Sequence, residues 1–599
     1  MDLVAFPLNS DSAAKKLNFD DLLIEAGGFG RFQVLTLLIL CIPRIIIPLH
    51  FLQHIFISAV PPHHCAIPNL ENTGNLSQEE LLLINIPREA DGTFSSCTMY
   101  SQAQPHLLLN RSQKMVNESL VEGCHHGWTY DVSVFSSTTA SEWNLVCEKK
   151  WLNQALVSFF YGGLTVGAIT IGYLSDRYGR RLLLLLSFIL ALGFGMMSAA
   201  SVSYLMLAIS LSLSGFCFSG LTITVVALSV EWVDTEHRTV AGIITSFTWS
   251  LGSAILALLA YLLRDWRWLV VVITAPCVLG IISIWWLSES ARWLLTEGKP
   301  EKAETELMRC AASNGQRLDT FSKNSENIRR LAEPGPSTAN SSYIDLFRTP
   351  RLRRISFCVG LVWFGVAFSY YGISLNITGF GLNIFLTHFL YALVEFPGKM
   401  GTYFLMNHLG RRRTQVLTLL VTGVCIGLNV VIPACIHFHT LHIENVSCVP
   451  LLLGKRNKTA RLEVHHVTSV NCLFLDVLCV SCDLLLHHNV LSHRQKSAGY
   501  TSFVGRIAVT IVPLVMLLDN FWYLLPQVIF CSMAVVCSLI AYLLPETKNV
   551  CLPETINDTE HGSGPLHGKN EGVPNFLIWQ HGQKIDLQPS PLRQLVYCP

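Results

Sequence analysis

Gly172-Tyr-Leu-Ser-Asp-Arg-Tyr-Gly-Arg-Arg181 and Asn407-His-Leu-Gly-Arg-Arg-Arg413 are the two stretches on which the reading of this chain turns. Each follows a long apolar run. In each, a glycine lets two helix ends meet in a tight turn, and the arginines beside it suit a headgroup region, where they can pair with helix-end carbonyls or acids. One basic turn after an apolar run says little. The same turn after the second run and again after the eighth, at matched positions of two six-run halves, marks a duplicated transport fold.

The runs themselves are 33–60, 151–174, 182–200, 204–230, 239–262, 267–287, 353–377, 382–406, 414–434, 468–491, 499–519 and 523–545. Each is close to the ~20 residues that cross a bilayer as a helix. The run at 468–491 is the weakest, because Asp476 and Asp483 interrupt it. Composition agrees: 51% of the 599 residues are hydrophobic and 14% are charged, against about a quarter charged in soluble proteins, and mean hydropathy is +0.43. The expected fold is an all-α membrane protein of twelve transmembrane helices. A net charge of +1 with no basic block gives no case for nucleic acid as a partner, and none is expected. Lys15, Lys16, Asp20, Asp21 and Glu25 exclude a cleavable signal core in the first 32 residues, so the first run reads as a retained signal anchor.

Charge in the short loops orients the chain. The two quoted turns are basic and fall on one side by span counting. The loops after the third and seventh runs carry no charge, and Arg264, Asp265 and Arg267 after the fifth are the exception. The expected plan is a cytoplasmic N-terminus at 1–32, a first six-helix bundle at 33–287 with an extracellular loop at 61–150, a cytoplasmic segment at 288–352, a second bundle at 353–545 and a cytoplasmic tail at 546–599. The 61–150 loop holds Cys65, Cys97, Cys124 and Cys147, enough for two disulfides in any of three pairings. It also holds sequons at Asn75, Asn110 and Asn117, expected to be glycosylated.

These features resemble the major facilitator superfamily, whose signature the stretch ending Asp176-Arg-Tyr-Gly-Arg-Arg181 matches. The cysteine-bearing loop, Ser141-Glu-Trp-Asn-Leu-Val-Cys147, Asp265-Trp-Arg-Trp268, Glu289-Ser-Ala-Arg-Trp-Leu294 and Leu544-Pro-Glu-Thr547 are similar to the organic ion transporters of solute carrier family 22. The stretches Phe19-Asp-Asp-Leu-Leu23 with Gly27-Gly-Phe-Gly30, Pro43–Phe51 and Ser342–Pro350 narrow the resemblance to one anion-carrying subgroup. It covers about 17–434 and 499–560. It breaks off at 435–498, where the family's acidic-Leu-Tyr-Pro motif after the tenth span is missing, as a misassigned exon, a shifted frame or a splice variant would produce. The resemblance implies two six-helix bundles around a central cavity, secondary transport of small organic anions by alternating access, no cofactor, and a place in the plasma membrane, basolateral in epithelia. It also assigns gating or structural roles to Gly172, Asp176, Arg177, Gly179, Arg180, Arg181, Glu231, Arg238, Glu289, Arg292, Gly410, Arg411 and Arg412.

Charges inside spans are costly and are candidate functional groups. Arg506 sits mid-span with no acid on its own helix before Asp519, and its guanidinium offers a planar fork to a carboxylate or phosphate. The resemblance places arginine here in the anion-transporting branch. Lys399 is a second candidate cation, with Glu395 one turn away as a self-neutralising partner. Tyr370, Tyr371 and Phe364 form an aromatic stripe that is either core or the wall of a ligand pocket, and the resemblance puts the tyrosine pair at the cavity. Arg44 and His50 are weaker candidates. The zinc-like spacing of Cys479, Cys482, His487 and His488 falls inside the anomalous segment and is set aside, so no metal is expected. With no phosphate-binding motif and no nucleophile–base set, neither ATP hydrolysis nor an enzyme is expected. The rival readings are a channel, a transport-dead relative weakened by the 435–498 segment, and a carrier of organic cations or zwitterions.

Overall fold

The structure is a computed structural model that describes residues 19–67, 77–89, 92–108, 121–234, 237–316, 328–329, 347–375, 383–443, 494–522 and 524–546. The sequons at Asn75, Asn110 and Asn117, the weak run at 468–491 and the Cys479–His488 spacing lie outside the described residues.

A short helix α1 (Phe19–Glu25) leads into α2 (Arg31–Leu52). After the hydrophilic segment come α3 (Lys150–Tyr178), α4 (Arg180–Ala199), α5 (Tyr204–Glu231) and α6 (Arg238–Leu262). The sixth apolar run is divided at Pro276 into α7 (Trp266–Thr274) and α8 (Cys277–Ser283), because a proline in a helix interior removes a donor and crowds the preceding turn. Two shorter helices follow, α9 (Ala291–Thr296) and the polar α10 (Pro300–Ser313). The second half comprises α11 (Pro350–Leu375), α12 (Ile384–Leu409), α13 (Arg411–Ile443), α14 (Arg494–Met516) and α15 (Leu525–Tyr542).

Among the described residues nine helical stretches are long and apolar enough to cross a membrane, matching the first seven runs and the last two. α12 and α13 occupy the eighth and ninth runs as helices of 26 and 33 residues. Within α12, His388, Glu395 and Lys399 lower the apolarity.

In the first half α3 and α4 pack on α5, and α2 packs on α6. The α3–α5 contact is close because Gly163 and Gly215 meet the opposing backbone directly: a Cβ on either would overlap the carbonyl of Ser212 or Phe160. Small residues at such crossings let helices approach where lipid supplies no hydrophobic drive. In the second half α11 packs on α14 and α15, and α13 packs on α15. The halves touch along two seams, α3 against α14 and α6 against α12.

The 61–150 segment corrects the purely helical expectation. β1 (His63–Cys65) pairs antiparallel with β4 (Trp128–Tyr130), and β2 (Thr98–Tyr100) with β3 (Val121–Gly123). Strands of three residues are too short for an alternating pattern to reveal. Disulfides Cys65–Cys124 and Cys97–Cys147, with Cα separations of 5.0 and 5.7 Å, select one of the three possible pairings. His63 lies beside Cys97 and Cys147, but those sulfurs are bonded to each other and offer no thiolate to a metal. The Arg264–Arg267 corner is a docking point for this segment. Asp265 caps α7 by accepting the N–H groups of Arg267 and Trp268. Arg264 donates to the Ser133 carbonyl at 3.0 Å, and Arg267 pairs with Glu142 and donates to the Ala199 carbonyl at 2.7 Å. The basic residues that broke the orientation pattern are thus occupied structurally.

The two signature turns are built alike. Gly179 has φ +100° and Gly410 φ +91°. A Cβ on Gly179 would come within 2.7 Å of Glu289 and 3.0 Å of Trp293, and one on Gly410 within 2.9 Å of Glu546. Gly172, by contrast, faces open space. We therefore expect Gly179→Ala and Gly410→Ala each to cost about 1–3 kcal/mol from backbone strain alone and to cut surface expression, measured by surface biotinylation. Gly172→Ala should leave it unchanged, and equal losses in all three would contradict this account.

Candidate functional site

Two kinds of polar cluster stand out. One kind ties helices together within a half, at the helix ends. The other joins the halves along the seams.

At the first signature turn the N-terminus of α4 leaves backbone N–H groups without helical partners. Glu289 accepts from Arg180 at 3.0 Å, Arg181 at 3.1 Å and Ser290 at 3.0 Å. Burial pushes the Glu289 carboxyl above its ordinary value, opposed by those same N–H groups and by the Arg180 charge. Arg180 is buried, pairs with Asp176 at 2.9 Å and Glu231 at 3.3 Å, and donates to the Ser175 carbonyl at 2.7 Å. Trp293 donates from Nε1 to the Asp176 carbonyl at 2.6 Å. Arg238 and Arg292 both reach Asp20 of α1, at 2.9 and 2.6 Å, which clamps the N-terminal segment onto the first half. Arg177 lies over the Tyr178 ring and is exposed. In the second half Glu546 accepts the Arg411 N–H at 3.1 Å, and Arg412 lies over the Tyr542 ring at 4.5 Å. Of these groups, Asp20 and Glu546 were not singled out from the sequence. The capping roles of Glu289 and Glu546, alike in the two halves, are seen only in the structure.

The seams bring together the predicted site residues. Arg506 on α14 is buried. Its Nη1 donates to the Leu164 carbonyl of α3 at 3.0 Å and to the Ser219 hydroxyl of α5. Both partners belong to the opposite half and both are neutral. Among the described residues no carboxylate lies within ion-pair distance of Arg506, and Tyr371 is the group that interacts with it electrostatically. One turn on, Thr510 and Thr165 meet at 3.1 Å across the same seam.

Lys399 is placed differently. Its ammonium pairs with Glu395 at 2.7 Å and donates to Ser250 Oγ at 2.5 Å and the Ser246 carbonyl at 3.1 Å. Glu395 also accepts from Ser250, and from Tyr370 at 3.3 Å. Tyr370 in turn accepts from Trp249 Nε1 at 3.2 Å. Lysine and glutamate are both buried and neutralise each other, so this cluster carries no net charge while Arg506 carries one. His388, two turns before Glu395, bonds Ser253 of α6 at 3.1 Å. Ser246, Ser250 and Ser253 recur on one face of α6. That spacing of small polar residues in an apolar span was a readable signal of a polar partner.

The aromatic stripe is mixed. Tyr371 is buried between Tyr161 of the first half and Tyr370, with ring centroids 5.3 and 5.1 Å away. Phe364 stacks on Phe368 at 5.6 Å and packs against the core. The tyrosines thus stand at the seam, while Phe364 contacts its own helix. His50 bonds the Ile273 carbonyl within the first half at 3.2 Å.

A profile of the Major Facilitator Superfamily matches residues 142–454. Solute carrier family 22 member 7 of Bos taurus is 42% identical over 566 residues, which cover 93% of this chain and 99% of that one. The chain belongs to solute carrier family 22. Member 6-A of Xenopus laevis is 35% identical over 553 residues, covering 91% of this chain and 94% of that one. Among solved structures, the proton:xylose symporter XylE bound to 6-bromo-6-deoxy-D-glucose aligns with a TM-score of 0.55 at 14% identity, over 88% of this chain and 98% of that one, a likeness of fold alone. As a family 22 member the chain is a multi-pass membrane transporter of small organic solutes and not an enzyme.

The Lys399–Glu395 pair can be tested directly. Removing one partner of a buried pair leaves an uncompensated charge and costs about 3–5 kcal/mol. Glu395→Gln alone should therefore sharply reduce folded protein, measured by detergent-solubilised thermal stability, and Glu395→Gln with Lys399→Met should recover most of it. A double variant no better than the single would show that the two charges do not compensate each other.

Proposed function

We propose that this chain is a plasma-membrane carrier of small organic anions that works by alternating access, as uniport or anion exchange. It has twelve spans in two six-helix bundles, cytoplasmic termini and an extracellular, glycosylated 61–150 segment. In epithelia it would be basolateral. Substrate contacts are Arg506, with Tyr371 and Tyr370 as aromatic walls and Lys399, its charge balanced by Glu395, as a neighbour.

The observation that carries the anion reading is the imbalance between the two seam cations. Lys399 has its acid, whereas among the described residues Arg506 donates to a carbonyl and a hydroxyl and has no carboxylate within ion-pair distance. An uncompensated guanidinium between apolar helices is expensive, and an organic carboxylate or phosphate would offset that expense through a bidentate contact from Nε and Nη2. A cationic substrate would be repelled at the same place.

Alternating access is supported by the division of the polar bonds. The end clusters around Gly179 and Gly410 each stay within one half, which suits two rigid bodies. The seams consist of a few separable contacts. Toward the 61–150 segment the halves also meet through Lys150 and Asp519 at 2.7 Å and through Phe56 and Phe385, stacked at 5.6 Å. Breaking these would open the bundle interface on that side.

Two measurements test the proposal. Radiolabelled salicylate uptake, normalised to surface protein, should fall about tenfold in Arg506→Lys, which keeps the charge but loses the planar fork, and should vanish in Arg506→Asp. Undiminished uptake by a surface-expressed Arg506→Asp protein would remove Arg506 as the anion contact. N-glycosidase should shift the wild-type band, and the combined Asn75→Gln, Asn110→Gln and Asn117→Gln variant should not shift. A shift persisting in that variant would refute the assigned sites.

A further inference from the structure

At the cytoplasmic end assigned above, the first signature turn faces a cavity of about 620 Å³ between the start of α4 and the first turn of α10. Three cations line it: Arg181, Lys299 and Lys302. Among the described residues none of the three has a carboxylate within ion-pair distance. Lys299 is held over the Trp293 ring at 5.0 Å, and Arg181 reaches the Trp285 carbonyl at 3.5 Å. Two acids also line the cavity. Glu289 is turned toward the N–H groups of α4, and Glu306 is near Arg309 at 3.9 Å. The α10 N-terminus, whose first turn lies beside Lys299 and Lys302, adds the partial positive charge of its backbone N–H groups.

The rim is apolar and outward-facing. Trp285 is 79% exposed, and Tyr178 and Leu182 beside it are also exposed. Trp and Tyr at this level of a span are the aromatics of the membrane interface. A basic recess beneath an interfacial aromatic rim receives a group whose head is anionic and whose tail lies in the bilayer.

We propose that this recess is a binding site for the phosphorylated headgroup of an inner-leaflet phospholipid, with Lys299, Lys302 and Arg181 holding the phosphates and Trp285 and Leu182 lying along the acyl chains. The occupant is a lipid rather than a free phosphate compound, because the apolar rim would gain nothing from a soluble one. The site is separate from the seam cation, and it rests on the assigned sidedness but not on the identity of the transported anion. Because its wall includes the Arg181–Glu289 turn, an occupied recess would brace α4 against α10.

The test uses the full chain in phosphatidylcholine nanodiscs with a tail-diazirine phosphatidylinositol 4,5-bisphosphate as probe. Wild-type protein should crosslink, with label mapping to peptides containing 178–185 or 285–302. Lys299→Gln with Lys302→Gln should lower labelling about tenfold or more, while Arg309→Gln, outside the cavity, should not. Monodispersity of each variant on size exclusion establishes that a loss is not unfolding. Excess unlabelled lipid of the same headgroup should compete, and soluble inositol 1,4,5-trisphosphate should compete weakly. Equal labelling of the double variant, or equal competition by the soluble headgroup, would overturn the lipid site. Salicylate uptake by Arg506 variants is read separately, so failure of the anion reading leaves this result standing.

Discussion

A charged side chain in a bilayer-spanning helix must find partners inside the protein, and in this chain some of those partners lie across the line dividing the two halves. Arg506 of α14 donates to Leu164 and Ser219 of the first half. On α12, Lys399 donates to the Ser246 carbonyl and the Ser250 hydroxyl of α6, and Glu395 accepts from Ser250. Lipid tails are as apolar as leucine, so no hydrophobic drive holds two bundles together in a membrane. Packing and a few polar bonds must do it. The groups suited to meet a substrate are thus the same ones that define how the bundles meet.

That double role contrasts with the helix-end clusters. Glu289 and Glu546 occupy equivalent positions, each accepting backbone N–H groups at the start of the helix that follows a signature glycine. Both clusters close within one half. Asp20 draws Arg238 and Arg292 together and adds the N-terminal segment to the first half. Asn314, at the end of α10, reinforces that attachment by bonding Ala26, Phe32 and Gln33. The bonds that stiffen each bundle and the bonds that join the bundles are therefore spatially distinct, which suits the proposed alternating access.

The 61–150 segment is not an independent appendage. Its disulfides brace short strand pairs, and Glu142 and the Ser133 carbonyl anchor it to the Arg264–Arg267 corner between α6 and α7. Phe135 reaches Phe385 at the start of α12, 5.4 Å between centroids. The segment thus touches the second half as well as the first, on the side where Lys150 and Asp519 also bridge them.

The sequence by itself determined the class of fold, because nothing but a bilayer tolerates so many apolar runs of that length, and it determined the duplication, because the two glycine–arginine turns recur at matched positions. It also pointed to Arg506, since a cation within such a run is conspicuous against its neighbours. It left Lys399 open between a ligand contact and an internal pair, because an i,i+4 acid is visible in sequence while the serines that complete the cluster belong to a helix 149 residues earlier. Asp20 and Glu546 were hidden for the same reason, since their partners are distant along the chain. The disulfide pairing, the β-strands of the 61–150 segment and the neutrality of Arg506's partners were likewise decided only by tertiary structure. Periodicity and hydropathy report how a residue relates to its own helix and to the solvent around it. Which helix lies opposite is set by packing, and packing alone decides whether a buried charge is already compensated.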